Sequence, residues 1–368
     1  LTLVAAAPPP TRRGGFHRLT VGAIEPVAED AVAVSLKVPS ELEERFLFEA
    51  GQHLTLRAVL DGAELRRTYS ICAEAGRGQL RIGVRRLPGG AFSTYLHEHL
   101  RPGDQIEVME PAGRFTLPLD PGAEREYVAV AAGSGITPVM SLVATALRRE
   151  LRSRVTLLYG NRTVGSAMFL DELADLKDRY PDRLQLLYSF SRERQQVELQ
   201  NGRLDGKRVG QIAERMLPVG AVQSWLLCGP YPMVEGVRST LQGLGVAGTR
   251  IHAELFFVED APPERSAVEE EALSRVGEVT VRARLDGRET SFKMSRGGTI
   301  VDGLLTVRQD APYSCKGGVC ATCRARLVEG EVTMDHTYAL ETAEREDGYI
   351  LTCQSHPVSD RIVVDYDA

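Results

Sequence analysis

The chain of 368 residues is too long for one ordinary hydrophobic core and predicts two or three domains. A hydrophobic fraction of 43% is that of a globular protein, and a formal net charge of -6 excludes nucleic acid as the main partner. No apolar run reaches the roughly 18 residues that a spanning helix needs, and the clustering of four of the six cysteines after residue 314 predicts a metal site in a reducing compartment, the cytoplasm, instead of a disulfide framework.

In chain order, Leu1 to Ala7 is mildly apolar and is followed by Pro8-Pro9-Pro10 and Arg12-Arg13. A signal peptide carries its basic residues before the apolar run, so residues 1–15 are expected to be a loose tail. Residues 16–119 alternate apolar and polar with period two, as in Val32, Val34, Leu36 and Val38, or Leu80, Ile82 and Val84. Such runs, separated by Gly, Pro and Asp, predict an antiparallel barrel or sandwich. Arg67-Thr68-Tyr69-Ser70 ends one strand, and Gly90-Ala91-Phe92-Ser93 opens a helix predicted over Ser93 to His99. A glycine-preceded helix N-terminus suits a phosphate, an arginine neutralises it and a tyrosine offers a flat face. Taken alone, these residues fit an ordinary strand end equally well.

The period changes over residues 120–258. Short apolar strands at Tyr127 to Ala132, Val155 to Tyr159, Leu184 to Tyr188 and Ser224 to Cys228 alternate with helical patterns. One helix opens on Thr137 as N-cap with Pro138 in its first turn, and another covers Phe169 to Tyr180. This predicts a doubly wound parallel α/β domain. Gly133-Ser134-Gly135-Ile136-Thr137-Pro138 lies at the first strand-to-helix turn, where such a sheet binds a nucleotide, although it is not G-x-G-x-x-G. Arg162, after Tyr159-Gly160-Asn161, has the reach for a nucleotide phosphate or for a surface ion pair. Cys228 reads as a small buried hydrophobe or as a site residue; Cys72, His97, His99 and His252 read as structural.

Residues 259–276, with Pro262-Pro263 and Glu269-Glu270-Glu271, predict a linker. Residues 277–368 predict a third domain with strands at Val279 to Leu285 and Arg361 to Tyr366. It contains Cys315-Lys316-Gly317-Gly318-Val319-Cys320-Ala321-Thr322-Cys323, with Cys353 further on. The spacing C-x4-C-x2-C…C is that of a plant-type [2Fe–2S] cluster, whereas a zinc ribbon needs two close pairs. Gly317 and Gly318 permit positive φ, which lets the backbone fold around the cluster. Lys316 and Arg324 flank this loop and are expected to steer a partner.

Residues 277–368 resemble plant-type ferredoxins along their length, including Gly348-Tyr349-Ile350-Leu351-Thr352-Cys353-Gln354, which implies a β-grasp-like α+β fold. Residues 16–258 resemble the ferredoxin–NADP reductase superfamily through the order Arg67-Thr68-Tyr69-Ser70, Gly90-Ala91-Phe92-Ser93, Gly133 to Pro138 and Cys228-Gly229-Pro230. The resemblance implies that Arg67 binds flavin phosphate, Tyr69 stacks on the ring and Ser70 sits near its N5. It implies that Ile82, Val84 and Arg85 line the ring edge, and that Gly90, Phe92 and Ser93 hold a pyrophosphate, hence FAD. Gly133, Gly135, Thr137, Pro138 and Arg162 fall to the nicotinamide nucleotide, with Cys228, Gly229 and Pro230 beside the nicotinamide. Glu254 and Phe256 fall at the flavin edge, so Ser70, Cys228 and Glu254 form the expected catalytic group. Ser191-Arg192 lies where the superfamily reads the ribose 2′ position; a hydroxyl and a guanidinium there suit NADPH. The order flavin, nicotinamide, ferredoxin resembles the reductase components of oxygenases. The resemblance is nearest to reductase subunits of phenylacetyl-CoA epoxidases, with 3-ketosteroid 9α-hydroxylase reductases and FMN-containing phthalate dioxygenase reductases sharing the layout. It implies an oxygenase component as partner.

Overall fold

The computed structural model describes residues 15–257 and 277–368. Most of the expected tail over residues 1–15 and all of the expected linker over residues 259–276 lie outside the described residues. The described chain forms two compact units, one built mainly by residues 17–257 and one mainly by the C-terminal domain, and each is taken by itself.

In the first unit the alternating stretches become β1 (Phe16–Ala28), β2 (Ala31–Lys37), β3 (His53–Leu60), β4 (Ala63–Ser70), β5 (Leu80–Arg85) and β6 (Gln105–Met109). The strand order is β4-β3-β6-β1-β2-β5, and an isolated bridge between Ile71 and Ile82 draws the two ends together into a barrel. Leu19, Val34, Leu54, Leu56, Ile82 and Val84 fill it. Helix α1 (Ala91–Glu98) adds Phe92 and Leu96 to the same core. It begins two residues before the expected Ser93. The cause is a type II turn: Pro88 and Gly89 (φ 73°) occupy its centre, and Gly90 N donates to Leu87 O at 2.9 Å.

The α/β part follows as β7 (Glu126–Ala132), α2 (Ile136–Arg149), β8 (Arg154–Asn161), α3 (Leu170–Arg179), β9 (Leu184–Phe190), α4 (Gly206–Met216), β10 (Val222–Pro230), α5 (Tyr231–Gly243) and β11 (Ile251–Phe257). Its strands run parallel in the order β11-β10-β7-β8-β9. After Glu126, strand β7 is apolar because both faces are covered. Tyr127, Ala129 and Ala131 meet α2 and α3 on one side, and Val128 and Val130 meet α4 and α5 on the other. Helix α2 does not start on Thr137 as expected. A 3-10 turn over Gly133–Gly135 begins the winding first and makes Gly135 the N-cap. Thr137 is fully buried instead, and its hydroxyl donates to Ser134 O at 3.0 Å.

Barrel and α/β part share one core, in which Ala31, Ala33, Ala50, Cys72 and Phe115 pack with α2 and β7. At Gly83 the approach is so close that a Cβ would lie 2.4 Å from Thr137 Cγ2. Arg81 of β5 clamps Glu172 of α3 through two bonds of 2.9 Å, and Ser141 of α2 donates to Ala73 O at 2.6 Å.

The C-terminal unit contains β12 (Glu278–Leu285), β13 (Arg288–Ser295), α6 (Ile300–Leu305), β14 (Arg324–Glu329), β15 (Val332–Met334), α7 (Thr342–Glu346), β16 (Tyr349–Leu351), β17 (Ser355–Pro357) and β18 (Arg361–Asp365). Its main sheet has the order β13-β12-β18-β14-β16. Strands β12 and β18 run parallel and the other pairs antiparallel, which is the mixed β-grasp pattern. Val279, Val281, Ala283 and Leu285 point to a core that Ile300 and Leu304 of α6 complete.

Candidate functional site

Strand β4 sets the first group of expected residues by alternation. Arg67 is exposed, with one guanidinium nitrogen donating to Arg66 O at 2.7 Å. Tyr69 is half-buried, with its ring 6.2 Å from that of Phe92. Burial pushes its phenol pKa up, so the ring stays neutral. No side chain caps α1 at Gly90, which leaves the first-turn N–H groups for a ligand. Ser93 does not present its hydroxyl outward: it accepts from Leu87 N and donates to Gly90 O, both at 3.1 Å, and so holds the turn. A Cβ on Gly90 would collide with that hydroxyl at 2.7 Å. The fit to a dinucleotide pyrophosphate therefore rests on an uncapped helix start whose approach is glycine-lined.

Ile82 and Val84 turn their side chains into the barrel core, so only their main chain is left for a ring edge. Arg85 turns towards the α/β part, bonded to Ser166 O and 3.4 Å from Asp30.

The expected catalytic group converges. Ser70 is buried at the end of β4, and its hydroxyl lies 3.4 Å from Glu254 Oε2. Glu254 of β11 pairs in register with Cys228 of β10. Cys228 is fully buried; burial, then the Glu254 charge, raises its pKa well above the usual thiol value, so it stays a neutral thiol. Phe256 packs half-buried against the shared core. A fourth residue, which no sequence motif marks, completes the group: His53, buried, with Nδ1 3.8 Å from Glu254 Oε1. It pairs with Ser70 across β3 and β4. A histidine in a strand has no sequence signal that separates it from a core residue.

The residues expected at the nucleotide gather around the crevice between β7 and β10, where the strand order reverses. Gly133 has φ 55° and its carbonyl accepts from Tyr159 OH at 3.0 Å. Gly135 and Gly229 let backbones approach: a Cβ on Gly135 would lie 2.3 Å from Cys228 O, and one on Gly229 2.7 Å from Met233 Cε. Thr137 and Pro138 are buried within α2, whereas Pro230 is exposed. Arg162, Ser191 and Arg192 are exposed and gathered at the ends of β8 and β9. Backbone bonds join Ser191 N to Asn161 O at 3.0 Å and Arg192 N to Arg162 O at 2.8 Å. The neighbouring Glu193 turns away to accept from Val164 N at 2.8 Å.

In the C-terminal unit, Cys315 and Cys320 are half-buried, and Cys323 and Cys353 are buried. Of the two glycines expected to use positive φ, Gly318 does so (74°); Gly317 does not, and Lys316 (52°) and Ala321 (52°) do instead. Left-handed conformations at residues with side chains are the strained kind that ligand loops keep. Thr352 Oγ1 donates to Cys323 O at 2.9 Å and accepts from Tyr366 OH at 2.9 Å, tying two ligand segments together. Gln354 Nε2 donates to Lys316 O at 2.8 Å and lies 3.5 Å from Cys353 Sγ. Among the described residues no three Cys, His, Asp or Glu side chains converge on one point. That arrangement belongs to a mononuclear ion; four thiolates around two irons meet different metals. The donor set fits the cluster. The flanking cations are already engaged. Lys316 Nζ lies 2.6 Å from Asp302 Oδ1, and Arg324 lies 3.6 Å from Glu344 and over the Tyr349 ring. Burial opposes ionisation of Asp302, but the Lys316 and Thr299 bonds outweigh it and lower its pKa.

The family model of an oxidoreductase FAD-binding domain matches residues 18–117, that of an oxidoreductase NAD-binding domain residues 129–239, and that of a 2Fe-2S iron-sulfur cluster binding domain residues 283–358. The chain is 43% identical over 96% of its length to a subunit of the 1,2-phenylacetyl-CoA epoxidase of Escherichia coli (strain K12), covering 98% of that protein. It is 32% identical over 95% of its length to the ferredoxin reductase component of a 3-ketosteroid-9-alpha-monooxygenase from Rhodococcus rhodochrous, covering 96% of it. Among solved structures, a phthalate dioxygenase reductase, a modular structure for electron transfer from pyridine nucleotides to [2Fe–2S], matches with TM-score 0.57 and 28% identity over 95% of this chain and 98% of that one. No helix among the described residues is long and apolar enough to cross a membrane. The chain therefore belongs to the family of NAD(P)H-dependent flavin and iron–sulfur oxidoreductases that act as reductase components of oxygenases.

Proposed function

We propose that the chain takes electrons from NADPH and delivers them in the cytoplasm, through FAD and the [2Fe–2S] cluster, to the oxygenase component of a phenylacetyl-CoA 1,2-epoxidase. The supporting observation is the 43% identity to the Escherichia coli epoxidase protein across nearly both full lengths, against 32% for the ketosteroid reductase. Bound FAD supplies an acceptor for the two electrons of a hydride and a donor of single electrons, which the cluster requires. The residues of the chain bind and orient. Exposed Arg67 and the uncapped start of α1 hold phosphate, with Gly90 keeping the approach open. Phe92 and Ser93 fix that helix from within. The Tyr69 face and the main chain at Ile82, Val84 and Arg85 border the flavin. Ser70 Oγ holds its proton towards Glu254, and neutral Cys228 with Gly229 and Pro230 leaves room for a nicotinamide. Phe256 keeps water from the same edge. Gly133 and Gly135 admit the nucleotide, Thr137 and Pro138 hold α2 against the barrel, and Arg162, Ser191 and Arg192 face the ribose phosphate.

The test is coupled turnover. Purified chain, NADPH and phenylacetyl-CoA should support oxygen-dependent product formation with the oxygenase component of the epoxidase and not with a ketosteroid hydroxylase. Turnover with the second alone would overturn the assignment. Arg192→Ala should lower the ratio of kcat/KM for NADPH over NADH about tenfold; an unchanged ratio would remove Arg192 from the 2′-phosphate site.

A further inference from the structure

We propose that His53 is a positioning residue that sets the orientation of the Glu254 carboxylate, and through it the hydroxyl of Ser70. The proposal rests on the reading of Ser70 and Glu254 as the flavin-edge pair. The carboxylate is held from two sides. Ser70 Oγ approaches Oε2 at 3.4 Å and His53 Nδ1 approaches Oε1 at 3.8 Å. The second distance is within ion-pair range and just beyond a hydrogen bond, so the imidazole acts as an oriented polar wall against one oxygen. His53 is 4% exposed, and its Nε2 has no hydrogen-bond partner. An imidazole kept only to fill space would be better replaced by an apolar side chain, because a buried ring nitrogen without a partner is unfavourable. Glu254 is the acidic side chain in ion-pair range of it among the described residues.

The backbone fixes His53 at both ends. Its N–H donates to Ala112 O at 2.8 Å and its C=O accepts from Ala112 N at 3.0 Å, while β3 pairs it with Ser70. Room for the ring is made by Gly113, whose φ is 117° and where a Cβ would lie 2.9 Å from His53 Nδ1. Three strands and one glycine thus converge to hold a single imidazole against a single carboxylate. Glu254 is the only arm of this group on β11, so its rotamer decides where the Ser70 proton points and what charge Cys228 faces.

The experiment uses the full chain loaded with FAD and cluster, with variants His53→Leu, His53→Asn, Glu254→Gln and the double His53→Leu/Glu254→Gln. Readouts are the anaerobic rate of flavin bleaching by NADPH, the NADP+ difference spectrum with its dissociation constant, melting temperature and FAD content. Leucine has a similar bulk but no polar atom to face Glu254, so His53→Leu should bleach about tenfold more slowly and show an altered NADP+ difference spectrum. Its NADP+ dissociation constant and FAD content should stay close to wild type. Asparagine puts its amide nitrogen where Nδ1 stood and should restore most of the rate and the spectrum. The double variant should be no slower than Glu254→Gln, since the effect of His53 passes through Glu254. Equal rates for the leucine and asparagine variants, or an additive loss in the double variant, would overturn the inference while leaving the flavin-edge pair intact. A wild-type rate in Glu254→Gln would overturn the pair itself and the inference with it.

Discussion

Replacing Gly135 with alanine should slow flavin reduction far more than it lowers stability. The added Cβ would lie 2.3 Å from Cys228 O, 2.6 Å from Cys228 C and 3.1 Å from Gly229 N. All three atoms are backbone of β10, which is locked between β7 and β11 and has no flexible end to yield. The start of α2 must therefore retreat by about 1 Å, an overpacking that costs roughly 1–3 kcal/mol. The same displacement opens the β7–β10 crevice, where misplacing a reacting group by about 1 Å lowers a rate on the order of 100-fold. A matched control is Gly103→Ala. It lies in a barrel turn with φ 99° and open space around the added Cβ, so it carries only the backbone strain of about 1–2 kcal/mol. Anaerobic stopped-flow bleaching by NADPH gives the rates, and urea unfolding gives the stabilities. The two variants should be similarly destabilised, with only Gly135→Ala losing rate. A Gly135→Ala protein that bleaches at the wild-type rate would refute the placement of the nicotinamide nucleotide in that crevice.

Glu150 is fully buried and accepts from Tyr127 OH at 2.9 Å, Ser153 Oγ at 2.7 Å and Asp120 N at 2.9 Å. Glu150→Ala should lose about 3–5 kcal/mol by urea unfolding, and Glu150→Gln clearly less. Burial pushes the Cys72 thiol up to about 12, so the folded state keeps a proton that the unfolded thiol gives up near pH 9. Its contribution is intact below pH 9 and falls as pH rises towards the folded value, by at most about 1.4 kcal/mol per unit. Cys72→Ala should flatten the fall of melting temperature above pH 9. Cys320→Ser replaces a thiolate with a hydroxyl and should remove the visible cluster spectrum. The variant should still reduce ferricyanide with NADPH yet fail to drive the oxygenase; drive at the wild-type rate would show that electrons leave from the flavin.

The parts legible in the sequence are those whose signal is local. Four cysteines at fixed spacing named the cluster, and period two against continuous apolar runs separated barrel from α/β sheet. Convergence across the chain was not legible from pattern. Ser70 and Glu254 are 184 positions apart and meet only because the end of β4 reaches the middle of β11. Resemblance supplied both residues without the contact. His53 stayed hidden because one histidine in an alternating strand looks like any half-buried residue. Ser93, Arg85 and Thr137 carry the right chemistry for a ligand but commit it to a turn, to Ser166 O and to Ser134 O, competing hydrogen bonds that spacing cannot reveal. The partners of Lys316 and Arg324, Asp302 and Glu344, are likewise set by the fold and not by spacing.

The core shared by barrel and α/β part bears on how this protein can be recombined. Sequence places a domain boundary near residue 119, yet Ala31, Ala33, Cys72 and Phe115 are buried only because α2 and β7 lie on them. A chimera cut there would expose that apolar face. It would also have to recreate Gly83 against Thr137, Arg81 against Glu172 and Ser141 against Ala73 at once. The C-terminal unit has a separate core drawn from residues 279–366. Any exchange between reductases must therefore move the flavin and nicotinamide parts as a pair.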